Sequence, residues 1–203
     1  MRRGFAPRRE PQQHRSRMRV ARILSAAARL IEKSGVTSVN TNAVAKTARL
    51  PVGTLYQFFP NREAVLQALL REQLTKFNAH LFPLLAPSHD REPLHGQVER
   101  IVEALAQAYL KVPALAPLLA AFRWDARFAP LAAENNAVVS AAVAELIWRR
   151  APSLPRARAC AAAVTLVEAA DAVLMLWLRT RDGALLVELQ RLLRAYAQAV
   201  IKT

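Results

Sequence analysis

Glycine is scarce, with 5 in 203 residues, about a third of ordinary usage. That speaks against a turn-rich sandwich or barrel and against a glycine-rich nucleotide fold. The single cysteine, Cys160, leaves nothing for an intrachain disulfide and too few thiolates for a multi-cysteine zinc site. A chain without disulfides suits a reducing cytosol. Period-two alternation is nearly missing, so strands are not expected. No apolar run follows Arg2 and Arg3, so no secretory signal is expected. Acids are scarce too, but only at one end: residues 1–62 hold 13 Lys/Arg against 2 acids, the remainder 16 against 13.

Those numbers give +11 for the first 62 residues and +3 for the rest. One end is built to meet a polyanion and the other is nearly neutral. Double-stranded nucleic acid is the leading candidate, with an anionic membrane surface as the alternative. Apolar residues make up 53% and charged residues 22%, enough for a core in one domain or in a small reader fused to a larger bundle. Ala159 to Leu178 has the length of a membrane span but carries Glu168 and Asp171 at its middle. Two central carboxylates cost roughly 5–7 kcal/mol on insertion scales. The stretch therefore reads as a buried helix of a soluble, cytoplasmic protein with no membrane partner.

Helical periodicity runs through the rest. Residues 1–16, with Pro7, Pro11 and paired arginines, read as a mobile basic arm. Val20, Ile23, Leu24, Ala27 and Ile31 then mark a helix that Ser34-Gly35 ends. Further helices are expected from about Asn61 to Phe82, on the stripe Val98, Ile101, Leu105, Tyr109 and Val112, and from Pro113 through Phe122. Another follows Leu131, Asn135, Val138, Ala142 and Leu146, and the last two run from Pro155 to about Arg181 and from Ala184 onward. With two short helices described next, the fold is all-α with nine helices. The eighth is apolar nearly all round and reads as a central core helix. The ninth carries Leu185, Leu189, Leu192, Tyr196 and Val200 on one stripe. Paired with copies of themselves, these two make a four-helix bundle, so a homodimer is expected.

Asn40 to Phe59 reads as two short helices joined by a turn at Arg49-Leu50-Pro51. Thr41 is the expected cap of the first, which buries Val44, Ala45 and Ala48. The second, Val52 to Phe59, buries Leu55 and Phe59 and turns Gly53, Thr54, Tyr56 and Gln57 outward. This is a helix-turn-helix, whose second helix enters the major groove.

The run Ile23-Leu24, Ala26-Ala27-Ala28-Arg29-Leu30-Ile31, Gly35, Thr41-Asn42, Val44-Ala45 and Gly53-Thr54-Leu55-Tyr56-Gln57-Phe58-Phe59-Pro60-Asn61-Arg62-Glu63-Ala64 strongly resembles the tetracycline-repressor (TetR) family of bacterial regulators. The likeness covers about Arg15 to Leu70, a little over a quarter of the chain. It implies an all-helical homodimer that binds a pseudo-palindromic operator and is released by a small molecule held in the larger domain. The expected division is a basic arm over 1–16, a helix-turn-helix domain over 17–60, and an effector-binding and dimerisation domain over 61–203. By position, Thr41, Asn42, Tyr56 and Arg62 fall among the DNA-contacting residues, with Thr41, Tyr56 and Arg62 holding phosphates. Val52, Gly53, Thr54 and Gln57 face base edges, Gln57 suited to adenine and Thr54 and Val52 to a thymine methyl. The arm arginines, with Arg15, Arg17 and Arg19, are placed to lie in the adjacent minor groove or to add non-specific attraction.

Two residues depart from the family pattern. Arg49 stands where a turn glycine is common, at a cost of about 1 kcal/mol if φ is positive. Pro51 stands where a serine or threonine would cap the recognition helix. In the larger domain, polar or aromatic residues on apolar faces are the candidate effector contacts: Tyr109, Phe122, Trp124, Phe128, Asn135, Glu168, Asp171, Met175 and Trp177. Carboxylates left unpaired would select a cationic amphiphile; paired ones, with Arg123, Arg127 and Arg158 available, leave a neutral apolar molecule. His80, His89, Asp90 and His95 match no compact ligand spacing, so neither metal nor cofactor is expected. Cys160 reads as an inert buried thiol. The competing reading is a sequence-tolerant architectural DNA protein without an effector; no catalytic spacing supports an enzyme.

Overall fold

The computed structural model describes residues 10–122 and 125–202, and every regular element among them is helical. The order is α1 (Glu10–Ser34), α2 (Thr41–Ala48), α3 (Val52–Tyr56), α4 (Arg62–Leu81), α5 (Leu94–Lys111), α6 (Leu115–Phe122), α7 (Ala129–Arg150), α8 (Arg156–Thr180) and α9 (Ala184–Ile201). Short 3-10 turns occupy Val36–Ser38, Phe82–Leu85 and Pro87–His89. The nine expected helices are the nine found among the described residues. Arg2, Arg3, Arg8 and Arg9 lie outside those residues. Residues 10–16, read as part of the arm, instead form the first turns of α1. Pro11 fits there because a first-turn residue has no intrahelical partner for its N–H.

The chain divides into two compact units, one up to Leu70 and one from Arg71, the division falling inside α4. In the first, Ile23, Ala26, Ala27 and Ile31 of α1 pack in one core with Val44, Ala45 and Ala48 of α2, Leu55 of α3, and Leu66 and Leu69 of α4. The alanines let α1 and α2 approach closely. Gly35 takes φ 76° and its N–H closes on the Ile31 carbonyl at 2.8 Å, a left-handed stop for α1.

In the second unit α5, α7, α8 and α9 bury Val102 and Leu105, Leu146 and Ile147, Ala162 and Ala163, and Leu189 and Leu193 respectively. Several sequence expectations need correction here. Helix α8 is not a central core helix: it is the one continuous helix among the described residues long and apolar enough to cross a membrane, yet only 28% of its most apolar stretch is buried. Its buried side is largely alanine, and Val164 and Leu176 lie exposed. Val138 of α7, expected on a buried stripe, is exposed, as are Leu192 and Tyr196 on the α9 stripe expected to pair with a second copy. Periodicity marks an apolar face without saying whether the chain's own core or another surface covers it. Cys160 is exposed rather than buried. Helix α6 starts at Leu115, with Pro113 left in the preceding turn.

The segment between α4 and α5 is tied down by the end of α7. Arg149 holds Asp90 through Nε at 2.7 Å and Nη2 at 3.1 Å, and Nη2 also donates to the Leu85 carbonyl at 2.8 Å. The Arg149 hydrogen bond lowers the Asp90 pKa, and Asp90 in turn raises that of Arg149. Glu92 is likewise held low by hydrogen bonds from Arg100 and then His89.

Candidate nucleic-acid interface and internal cavity

The helix-turn-helix is built around one strained residue. Arg49 takes φ 52°, ψ 49° at the end of α2, and its N–H and that of Leu50 close on carbonyls of the last turn. An arginine in that conformation costs about 1 kcal/mol. Arg22 of α1 offsets it by donating from Nη2 to the Ala48 carbonyl at 2.7 Å and the Arg49 carbonyl at 3.3 Å. Two carbonyls at the end of α2 thereby gain a charged donor. Pro51 then sets φ −56° ahead of α3 with no side-chain cap, and its carbonyl accepts from Thr54 at 2.9 Å. The turn between α2 and α3 thus forms with Arg49 and Pro51 both in place.

The cap of α2 is Asn40, whose Oδ1 accepts from the Ala43 N–H at 2.8 Å. Thr41, expected as that cap, is the first helical residue. Its hydroxyl meets the Tyr56 hydroxyl at 3.2 Å, joining α2 to α3 at the surface. Asn42, Val52, Gly53, Tyr56 and Gln57 are exposed, Thr54 is half-buried, and Leu55 beneath them is fully buried. Helix α3 ends at Tyr56, so Gln57 is its C-cap, still in the right-handed region. Arg15, Arg17, Arg19, Lys46 and Arg49 add exposed positive charge within the same unit.

Arg62 departs from its expected phosphate role. Its Nε donates to the Val39 carbonyl at 2.6 Å and its Nη2 to the Val36 carbonyl at 3.0 Å, with Nη1 3.7 Å from Glu63. The guanidinium is spent on the turn that leads into α2. Sequence reasoning missed this because both carbonyls come from a loop far back in the chain.

The second unit contains a cavity of about 440 Å3, within the range that holds small ligands. Leu74, Phe77, Leu105, Val139, Val143 and Leu174 form much of its apolar wall. Of the candidate effector residues, Tyr109, Asn135, Glu168, Asp171 and Met175 line it. Tyr109 donates to Asp171 Oδ1 at 3.4 Å, Asn136 donates to Glu168 Oε1 at 3.0 Å, and Asn78 donates to Asn135 Oδ1 at 2.7 Å. Both carboxylates are therefore hydrogen-bonded. Phe122, Phe128 and Trp177 are not on the wall: the two phenylalanines stack with centroids 3.9 Å apart, and Trp177 is buried with Arg181 over its ring. Trp124 and Arg123 lie outside the described residues. Arg127 holds Asp125 at 2.7 Å and draws its pKa down to about 2. Gln97 and Arg150 also line the cavity and were not foreseen. The available signal was Gln97 falling beside Val98 on the apolar face of α5.

The described residues hold no group of three or more His, Cys, Asp or Glu that could bind a metal ion. His80 Nδ1 lies 2.8 Å from the Lys76 carbonyl and His89 Nδ1 2.8 Å from Glu92.

Comparison with known proteins gives a consistent match. The model of bacterial regulatory proteins of the tetR family matches residues 23–69, and a tetracyclin repressor-like C-terminal domain matches residues 93–196. HTH-type transcriptional regulator UidR of Escherichia coli K12 and of Shigella flexneri is 30% identical over 94 residues, 43% of this chain and 43% of that protein. The chain thus aligns with less than half the length of these curated relatives. Among solved structures, the multidrug binding protein EbrR complexed with imidazole superposes with TM-score 0.71 at 23% identity, covering 88% of this chain and 94% of that one. A regulator from Streptomyces coelicolor gives 0.62 at 24% identity over 90% and 99%, and one from Haloarcula marismortui 0.69 at 14% over 91% and 98%. At these identities the structures speak for the fold alone.

Proposed function

The chain belongs to the tetracycline-repressor family of helix-turn-helix transcriptional regulators, and from that premise we propose that it is a cytoplasmic repressor, a homodimer released from a pseudo-palindromic operator by a small apolar or amphiphilic effector. The observation that carries the proposal is the pairing of an exposed helix-turn-helix surface with a largely apolar cavity on one chain.

Val52, Gly53, Thr54 and Gln57 read base edges in the major groove, while Thr41, Asn42 and Tyr56 position the head on phosphates. Arg62 acts one step back, fixing the turn that presents Thr41. The exposed apolar residues Val164 and Leu176 of α8 and Val187, Leu192 and Tyr196 of α9 form the dimer contact. Closure by a two-fold axis places two heads about 34–36 Å apart, the spacing of successive major grooves. An effector bound better by the wrongly spaced state shifts the population off DNA. The cavity carboxylates accept hydrogen bonds from the neutral groups of Tyr109 and Asn136, which do not cancel their charge, so the effector is apolar or amphiphilic.

Sedimentation of the protein with and without a bound duplex tests the assembly. Two protomers alone and two per duplex support it; a monomer that coats duplexes in proportion to their length supports the architectural alternative.

A further inference from the structure

Glu168 of α8 lines the cavity and is exposed to solvent as well, so its side chain stands where the cavity opens. Asn136 Nδ2 donates to its Oε1 at 3.0 Å, and no Lys, Arg or His among the described residues pairs with it. A neutral amide orients the carboxylate and leaves its charge in place. Among the described residues of the wall the one basic side chain is Arg150, at the far end of α7 from Asn136. The two positions are roughly 21 Å apart at 1.5 Å per residue. That is well beyond a Debye length of about 10 Å, so Arg150 does not neutralise Glu168. Its Nη2 is engaged instead by the carbonyls of His89 and Glu92.

The end of the cavity that holds Glu168 also carries aromatic rings. Asp171, one turn along α8 on the same face, accepts from the Tyr109 hydroxyl at 3.4 Å. The Tyr109 ring lies against Phe77 with centroids 4.6 Å apart, and both rings line the cavity. Leu105, Val139, Val143 and Leu174 continue the wall as apolar surface. An accessible carboxylate, two rings beside it and an apolar wall together suit a cation that carries an apolar body.

Resting on the effector reading above, we propose that the cavity takes an amphiphilic organic cation, its charged nitrogen held by Glu168 and its apolar body against the wall formed by α5 and α7. A quaternary head makes no hydrogen bonds, so it leaves the contacts of Asn136 and Tyr109 intact. Attraction to the carboxylate and to the ring faces holds it. An anion meets Glu168 as like charge, and an alcohol gains a hydrogen bond without an ion pair. In the proposed dimer Glu168 lies between Val164 and Leu176 on the contact face of α8, so a second copy takes the carboxylate further from water and strengthens its pull on a cation.

The test uses the full chain and three probes of one chain length, decyltrimethylammonium, decanol and decanoate, with binding read by calorimetry at two salt concentrations. The wild type binds decyltrimethylammonium at least about fivefold more tightly than the other two, and the margin narrows as salt rises. Glu168→Gln keeps the shape and an oxygen for Asn136 but removes the charge. It brings decyltrimethylammonium down to the level of decanol, leaves decanol binding unchanged and melts with the wild type. Equal or tighter binding of decanol or decanoate by the wild type, or a cation preference retained in Glu168→Gln, overturns the head assignment and leaves the cavity as an effector site. No binding by any probe overturns both. Should Glu168→Gln fail to fold, Glu168→Asp draws the carboxylate back by one methylene and must weaken decyltrimethylammonium alone for the proposal to stand.

Discussion

Replacing Gly53 by alanine separates what stabilises the reading head from what lets it approach DNA. A glycine in the exposed second position of a short helix raises the entropic cost of ordering α3 by up to about 1 kcal/mol relative to alanine. Nothing inside the molecule asks for it: a Cβ built at Gly53 meets no atom within 4 Å, and its φ is not positive. Gly53→Ala should therefore raise stability by about 0.5–1 kcal/mol, or roughly 1–4 °C in melting temperature for a chain of this size. The same methyl group projects from the face proposed to enter the groove, where Val52, Tyr56 and Gln57 are exposed on either side. Operator affinity should fall at least about tenfold, near 1.4 kcal/mol, because the helix must stand off from the duplex. Thermal melting and fluorescence anisotropy on a recovered duplex measure both quantities in one preparation. A variant that melts higher and binds DNA as tightly as wild type would refute the placement of Gly53 at the interface.

Gln57→Ala is expected to cost about 1–3 kcal/mol at one base position and to relax preference there; equal weakening on all sequences would remove it from base readout. Arg62→Ala should destabilise the head by about 1–3 kcal/mol, since two carbonyls lose a charged donor. Arg62→Lys should recover little of that, because an ammonium lacks the fork that spans Val36 and Val39; chemical denaturation of both variants decides it. Leu192→Glu should leave helicity intact and convert a sedimenting dimer into a monomer. The Asp90 carboxyl has its pKa lowered on folding by Arg149. Its contribution is present above the ordinary carboxyl range near pH 4 and is lost as pH falls through the lower folded value. Amide protection factors across residues 82–93, which remove the intrinsic slowing of exchange in acid, should therefore fall as pH is lowered, and Asp90→Asn should lower them at neutral pH as well.

The helices were legible because their apolar residues recur with helical spacing and because proline and Gly35 punctuate them. Arg49 was legible as a strained turn residue, but not the relief that Arg22 supplies, which depends on α1 lying against the end of α2. Asn40 and Thr41 are both competent caps, and only the position of the preceding turn decides between them. Val138 was misplaced because an apolar stripe has the same pattern whether it faces a core or the outside. In the cavity the sequence favoured aromatics, and Phe122 and Phe128 went into packing against each other. Gln97 and Arg150 escaped notice because a place on the cavity wall exists only once the neighbouring helices have packed.

Selection of bound duplexes from a random DNA pool, at two salt concentrations, tests the central claim most directly. A dimeric sequence-specific regulator recovers a pseudo-palindrome with half-sites one helical turn apart, and the motif persists at the higher salt. Recovery of DNA without a motif, collapsing as salt rises, would contradict the account and leave charge alone as the basis of binding.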